Sequence, residues 1–96
     1  MIGGNPNEFV DGLYYGDERW FIFRNIKYFI QGWVKDGKFT LLLDQIDPDP
    51  GTNWRRWEGV KEEEKNREVV KSFLDSKLFD GKSFWEVEQE IEWVDD

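Results

Sequence analysis

The sequence has no cysteine, no histidine and no alanine among its 96 residues. Without cysteine it can form no disulfide, no thiolate nucleophile and no cysteine-ligated metal site. Without histidine it lacks the side chain that titrates nearest neutral pH, which is also the commonest metal ligand. A Ser–His–Asp arrangement is therefore impossible within the chain. We expect a protein that is not an enzyme and has no metal and no cofactor; a hydrolase built on two carboxylates is the least favoured alternative.

Long apolar runs are also missing. No stretch approaches the ~18 consecutive apolar residues that a membrane helix needs. The first residues, MIGGN, contain neither the basic region nor the apolar core of a signal peptide. We therefore expect a cytoplasmic protein that makes no contact with a membrane, folded as a single domain over residues 1–96.

Acidic and aromatic residues are abundant. The chain has 21 Asp and Glu residues against 13 Lys and Arg, a formal net charge of -8, and 18% of its residues are aromatic. The charge is unevenly placed, with a net of -1 over residues 1–57 and -7 over residues 58–96. A negative surface repels the phosphates of nucleic acid and attracts basic proteins. The expected partner is therefore a basic protein rather than a nucleic acid, and the oligomeric state stays open.

The first half of the chain predicts a short helix followed by an antiparallel meander. Asn5 and Pro6 are typical of the N-cap and the first position of a helix. From residue 18 to residue 46 apolar side chains recur with a period of two, which predicts three strands, the first with apolar side chains on both faces. Asp36-Gly37 predicts a type I′ turn between the second and third strands, and we assign the first turn to Asn25-Ile26.

Residues 47–51, with the sequence DPDPG, interrupt this pattern because neither proline can donate to a strand pairing. The segment 53–58 then predicts a fourth strand at the edge of the sheet. Strict alternation places Trp54 and Arg56 on one face of that strand and Arg55 and Trp57 on the other.

Two helices are predicted in the second half. The first runs from Val60 to Leu74, with glutamates in its first turns, where the helix dipole favours acids. The segment from Ser83 to Trp93 alternates without error, as a strand does, but it opens with the capping box Ser83-x-x-Glu86 and is rich in helix formers. We assign it to a helix and leave the strand as the alternative. The fold class is thus α+β: a three- to four-stranded antiparallel meander with an N-terminal short helix and two C-terminal helices packed on one face.

The C-terminal segment contains the first candidate site. After Lys82 the chain has six acids and no base. On a helix, Trp85 and Trp93 would lie opposite the apolar stripe, with carboxylates beside them. Such a surface suits a partner with basic and apolar groups. The alternative is that the glutamates are solvated and the rings fold back onto the protein. The candidate partner-binding residues are Trp85, Glu88, Glu92 and Trp93.

The second candidate site is the sequence Trp54-Arg55-Arg56-Trp57. Rings and guanidinium groups together stack on sugars or on single-stranded bases. Alternatively the arginines pair with acidic side chains while the rings pack. The other aromatic rings of the chain are assigned to the core of the meander.

Three stretches, LYYGDE at 13–18, KYFIQGW at 27–33 and FDGKSFWEVE at 79–88, are similar to a group of small acidic bacterial proteins of unknown function. The resemblance runs over most of the chain and implies a free-standing single domain, with no activity or site to transfer. The sequence therefore predicts a non-catalytic, protein-binding module with an inhibitor-like or immunity-like role. The alternative is a module that binds carbohydrate or single-stranded nucleic acid.

Overall fold

Five strands and three helices make up the protein in the computed structural model, which describes all 96 residues. The strands are β1 (Arg19–Phe23), β2 (Ile26–Lys35), β3 (Lys38–Asp47), β4 (Arg55–Glu62) and β5 (Glu92–Val94). The helices are α1 (Pro6–Leu13), α2 (Asn66–Asp75) and α3 (Phe84–Val87). The strands form one antiparallel sheet in the order β4-β3-β2-β1-β5. The α+β class and the arrangement of one short N-terminal and two C-terminal helices are confirmed.

The number of strands is five rather than the predicted three to four. The fifth is β5, whose residues Glu92, Trp93 and Val94 pair with β1. The capping box at Ser83 and Glu86 does form, but the helix that it opens ends at Val87, and a short 3₁₀ turn leads from there into β5. The segment 83–93 therefore begins as a helix and ends in a strand, because pairing with the free edge of β1 outweighs the helix propensity of its last glutamates.

The helix predicted from Val60 begins six residues later, at Asn66. Val60 lies opposite Thr40 and Glu62 lies opposite Lys38, so β4 continues along β3 as far as the first residue of the acidic run. A single 3₁₀ turn at Glu63–Lys65 then connects it to α2. Acidic residues are favourable at the start of a helix, but the pairing of β4 with β3 moves the start of α2 towards the C-terminus.

Two type I′-like turns join the meander. Asp36 and Gly37 have φ angles of 53° and 74°, as the sequence predicts. The first turn is formed by Arg24 and Asn25, at 48° and 67°, and not by Asn25-Ile26. Ile26 instead pairs with Phe23 inside the sheet, since a β-branched residue is strained at a positive φ.

A β-bulge in β4 changes the predicted orientation of its side chains. Leu43 lies opposite Trp57 and Asp44 lies opposite Arg55, so Arg56 is the extra residue. Trp57 faces the helices, where its ring lies 5.5 Å from that of Phe73, and Arg55 faces the other side of the sheet. The prediction that these two side chains share a face is wrong, because strict alternation does not allow for the bulge.

All three helices cover one face of the sheet. Eighteen buried apolar residues form the core between the two layers. Phe9 of α1 contacts Phe21 of β1 and Phe84 of α3, with ring centroids 5.6 Å apart in each pair. Asn5 caps α1 as predicted, because its side chain accepts a hydrogen bond from the backbone N–H of Asn7. No helix is long and apolar enough to cross a membrane.

Candidate functional site

Trp85 lies on the outer surface of α3 with 45% of its side chain exposed. The neighbouring residues Phe84 and Val87 are buried and hold this short helix against the core. Glu86 fixes its first turn, since its carboxylate accepts hydrogen bonds from the Ser83 backbone N–H and from Lys77. These bonds, the Ser83 backbone N–H first, lower the pKa of Glu86 to about 2. Trp85 is thus an exposed ring on a firmly docked helix.

Glu88 and Glu92 have different surroundings from each other and from Trp85. The carboxylate of Glu88 is 2.6 Å from the amino group of Met1 and is largely shielded from solvent. Glu92 is exposed, and its pairing opposite Ile22 places it on the face of the sheet that the helices leave uncovered. Glu88 is therefore engaged within the protein, and Glu92 belongs to another surface.

Trp93 lies on the helix-covered side of β5. Its ring contacts Phe9 at a centroid distance of 5.3 Å, and the guanidinium carbon of Arg19 lies 4.8 Å from the ring centroid. Arg19 also approaches Asp17, but its Nε is buried without a hydrogen-bond partner. The Trp93 ring is half-buried and rigidly held, with the backbone of Gly4 against its surface.

A shallow pocket of about 270 Å³ lies beside Trp93. Its lining consists of Trp93, Glu8 and Asp95 together with the backbone of Gly3 and Gly4. Neither carboxylate is in an ion pair. We call this feature the Trp93 pocket. The sequence gives no local signal for it, because Glu8 and Asp95 meet only once β5 has paired with β1.

The second candidate site, residues 54–57, is divided by the bulge. Arg55 pairs with Asp44 and with Glu58, at 2.5 and 2.8 Å. Arg56 donates to the side-chain oxygen of Gln45 and to a backbone carbonyl. Trp57 packs on the core, and Trp54 alone exposes its ring, by 46%. The four side chains therefore do not form one continuous stacking surface.

Ion pairs account for most of the shifted pKa values on the helix-covered side. Arg24 bridges Asp80 and Glu90, at 2.7 and 3.0 Å. Hydrogen bonding to Arg24 lowers the pKa of Glu90, and the reciprocal contacts raise the pKa of Arg24. Burial raises the pKa of Tyr28. These groups tie the loop around residue 80 to the first turn of the meander.

The face of the sheet opposite the helices has no element packed on it; we call it the open face. Cross-strand pairs define it, since residues directly opposite each other point to the same side. One row runs across the sheet through Val94, Trp20, Phe29, Asp44 and Arg55. Parallel rows place Gln31, Leu42 and Glu58 together, and Trp33, Thr40 and Val60 together.

The open face carries seven apolar side chains among its charged ones. Trp20 stacks on Phe29 with centroids 4.7 Å apart, and Trp33 and Val60 expose 42% and 46% of their surfaces. Leu42 is only 6% exposed although it lies outside the core cluster, so the side chains around it shield it from water. The assignment of Trp20, Phe29 and Trp33 to the core was wrong. The sequence feature that could have predicted this surface is the presence of apolar side chains on both faces of β1. The apolar residues of the open face are Trp20, Ile22, Phe29, Trp33, Leu42, Val60 and Val94.

Charges on the open face nearly cancel. Four bases and five acids occupy positions on it, a net of -1, so most of the net charge of -8 lies elsewhere on the molecule. The bases are Lys27, Lys35, Lys38 and Arg55, and the acids are Asp44, Asp47, Glu58, Glu62 and Glu92.

No three Asp or Glu side chains come close enough to hold a metal ion. Comparisons with protein families, with curated proteins and with solved structures give no match. The function must therefore be inferred from the surfaces of the molecule itself.

Proposed function

We propose that the protein is a non-catalytic module that binds a basic protein through its acidic, helix-covered side. The observation that carries this proposal is the Trp93 pocket, which is lined by an aromatic ring and by the carboxylates of Glu8 and Asp95, neither of which has an ion-pair partner. Arg19 and Gly4 already contact the Trp93 ring, so a lysine or arginine from a partner would place its apolar stem against the part of the ring that lines the pocket and its charge beside the two carboxylates.

The charge distribution supports the same partner. Because the open face has a net charge of only -1, nearly all the excess of negative charge lies on the helix-covered side and at the ends of the sheet. Nine of the 21 acids are in ion pairs within the protein, and nine of the other twelve lie outside the open face. Trp85, exposed on α3, adds an aromatic contact on this side. Charge of one sign speeds encounter with a partner of the other sign.

The side-chain chemistry supports binding rather than catalysis. Functional carboxylates and amines usually have their pKa values shifted by burial in a cleft. Here the carboxylates with lowered pKa values, Glu62, Glu86 and Glu90, lie at the surface and owe the shift to hydrogen bonds. An inhibitor or immunity protein acts by covering the surface of its partner, and it needs no catalytic residues to do so.

A peptide of repeated Lys-Leu and its Glu-Leu counterpart test this proposal by calorimetry. We expect the basic peptide alone to bind, and its affinity to fall about 10-fold or more as salt rises from about 50 to about 300 mM, since salt screens exposed charges. In the double variant Glu8→Gln/Asp95→Asn we expect a further loss of about 10-fold.

The matched control is Asp36→Asn/Asp49→Asn, which removes the same number of charges from two turns where asparagine is equally suitable. We expect it to bind the basic peptide nearly as well as the unaltered protein. If the two double variants lost affinity for the basic peptide equally, the Trp93 pocket would not be the binding site. An affinity that does not change with the salt concentration would contradict the electrostatic part of the proposal.

The alternative, binding of carbohydrate or single-stranded nucleic acid at Trp54, Arg55, Arg56 and Trp57, has less support. Both guanidinium groups already have partners within the protein, and only Trp54 exposes its ring. A change in tryptophan fluorescence on adding oligosaccharides or oligonucleotides, abolished by Trp54→Leu, would favour it.

A further inference from the structure

We propose that the open face is the contact surface between two copies of this chain, which associate face to face as a two-fold symmetric dimer. The inference is independent of the basic partner, which would bind on the opposite side of the sheet. It rests on the apolar content, the charge and the area of this face.

The open face has more large apolar side chains than a solvated sheet face usually has. Antiparallel sheets with one solvated face alternate apolar residues inward with polar residues outward. Here the outward positions of β1 are Trp20 and Ile22, and those of β2 include Phe29 and Trp33. With Leu42 from β3 and Val60 from β4, apolar side chains occupy this face on four neighbouring strands, and an apolar surface of this extent marks an interaction site. Aromatic side chains are also enriched at the centres of protein interfaces.

The charge of the open face selects the occupant. A two-fold contact sets one surface against an identical copy of itself, so any excess of one sign is doubled there. The open face has four bases and five acids, a net of only -1 in a molecule of net charge -8. Two copies can therefore meet on it with little repulsion between like charges. A basic partner finds almost no excess of negative charge on this face, and an acidic membrane surface repels the molecule as a whole.

The area is sufficient for a dimer. With about 3.3 Å per residue and about 4.8 Å between strands, the five strands cover roughly 600 Å² in projection, before the relief of the side chains is counted. Each partner in a standard-size interface buries about 600–1,000 Å². The open face thus reaches this range without contributions from other parts of the protein.

Face-to-face packing also separates the acidic layers. The helices lie behind the two sheets, and packed layers are about 10 Å apart. The outer surfaces of the two copies are then at least about 30 Å apart, several times the Debye length of about 8 Å in physiological salt. The dimer therefore turns both acidic, helix-covered surfaces outward and leaves both Trp93 pockets accessible. Its stability should not fall as the salt concentration rises.

Sedimentation equilibrium over a range of protein concentrations tests the proposal. We expect the mass to rise from 11.6 kDa to twice that value, and no further, as the concentration increases. The variants Trp33→Lys and Val60→Lys each place a charge in the contact at a position that the isolated monomer leaves exposed. We expect each to raise the dissociation constant of the dimer about 30-fold or more, the change typical of a central interface residue.

Tyr15→Lys is the matched control, because Tyr15 is 82% exposed and belongs to none of the surfaces described above. It should dimerise as the unaltered protein does, and circular dichroism confirms that all three variants are folded. A monomer at millimolar concentration would overturn the proposal, as would a dimer that both open-face variants leave intact or a mass that rises beyond twice the monomer. Peptide binding by a monomeric variant still reports on the proposed function, so each can fail without the other.

Discussion

Gly16 illustrates how a single residue joins the helical layer to the sheet. It follows α1 with a φ of +76°, and the backbone N–H of Gly32 in β2 donates to its carbonyl at 3.2 Å. A Cβ on Gly16 would lie 2.5 Å from the carbonyl oxygen of Gly32, which is backbone and cannot easily move aside. This position therefore requires glycine both for its conformation and for the close approach of the two backbones.

We expect Gly16→Ala to lower the free energy of unfolding by about 1–3 kcal/mol from the left-handed conformation alone, with a further loss from the contact. Urea denaturation measures it. Gly81→Ala is the control, because Gly81 has nearly the same φ, +78°, but open space around it. The difference between the two variants gives the cost of the contact, and equal losses would contradict the close approach between Gly16 and Gly32.

At the scale of the secondary-structure elements, the bulge at Arg56 determines which of the following side chains of β4 point to the helices and which point to the open face. If Arg56 is deleted, Trp57 can still lie opposite Leu43 and regular alternation follows. If Glu58 is deleted instead, Val60 moves to the position of Gly59, where a Cβ would lie 2.6 Å from the ring of Trp57. A one-residue slip of this kind moves every following side chain to the other face.

We therefore expect deletion of Arg56 to cost about 1 kcal/mol, mainly for its lost hydrogen bonds. Deletion of Glu58 should cost about 3 kcal/mol or more, because it disrupts packing between β4 and α2. Thermal unfolding followed by circular dichroism compares the two. A larger loss for the Arg56 deletion would show that the bulge itself is needed for folding.

Sequence predicts those elements whose signals are local. The Asn5 cap, the Ser83–Glu86 capping box and the Asp36-Gly37 turn all depend on neighbouring residues, and all three form. The start of α2 and the identity of β5 depend instead on pairing with β3 and β1, which the local pattern does not contain. The same holds for the candidate sites, because the Trp93 pocket and the open face each combine residues that are distant in the chain.

At the scale of the whole molecule, the absence of histidine and cysteine predicts how stability depends on pH. Hydrogen bonds lower the pKa values of Glu62, Glu86 and Glu90, so the stability that they contribute is present above about pH 4.5 and is lost as the pH falls towards 2. Burial raises the pKa of Tyr28, and the contact with Asp75 raises that of Lys71, so their contributions are lost only as the pH rises above about 10.

Between these limits no side chain has an ordinary pKa, and only the α-amino group of Met1, paired with Glu88, belongs to a class that titrates there. We therefore expect the free energy of unfolding to stay within about 0.5 kcal/mol between about pH 5.5 and 7, below the ordinary pKa of an α-amino group, with a decline on the acidic side. Urea denaturation at a series of pH values measures this plateau in a variant held monomeric by Trp33→Lys. A slope in the middle of the range would reveal a titrating group that the fold perturbs more strongly than its contacts indicate.

The strand order has a consequence for how the chain reaches this fold. The strands β1 to β4 can pair through short connections, whereas the contact between Phe21 and Trp93 closes a loop that spans most of the chain. Until it closes, β1 is a free edge with large apolar side chains on both faces, and such edges recruit strands from other molecules. The three residues of β5 add few hydrogen bonds to the sheet. They nevertheless cover the apolar edge of β1, and this protects the folded chain from pairing with other molecules.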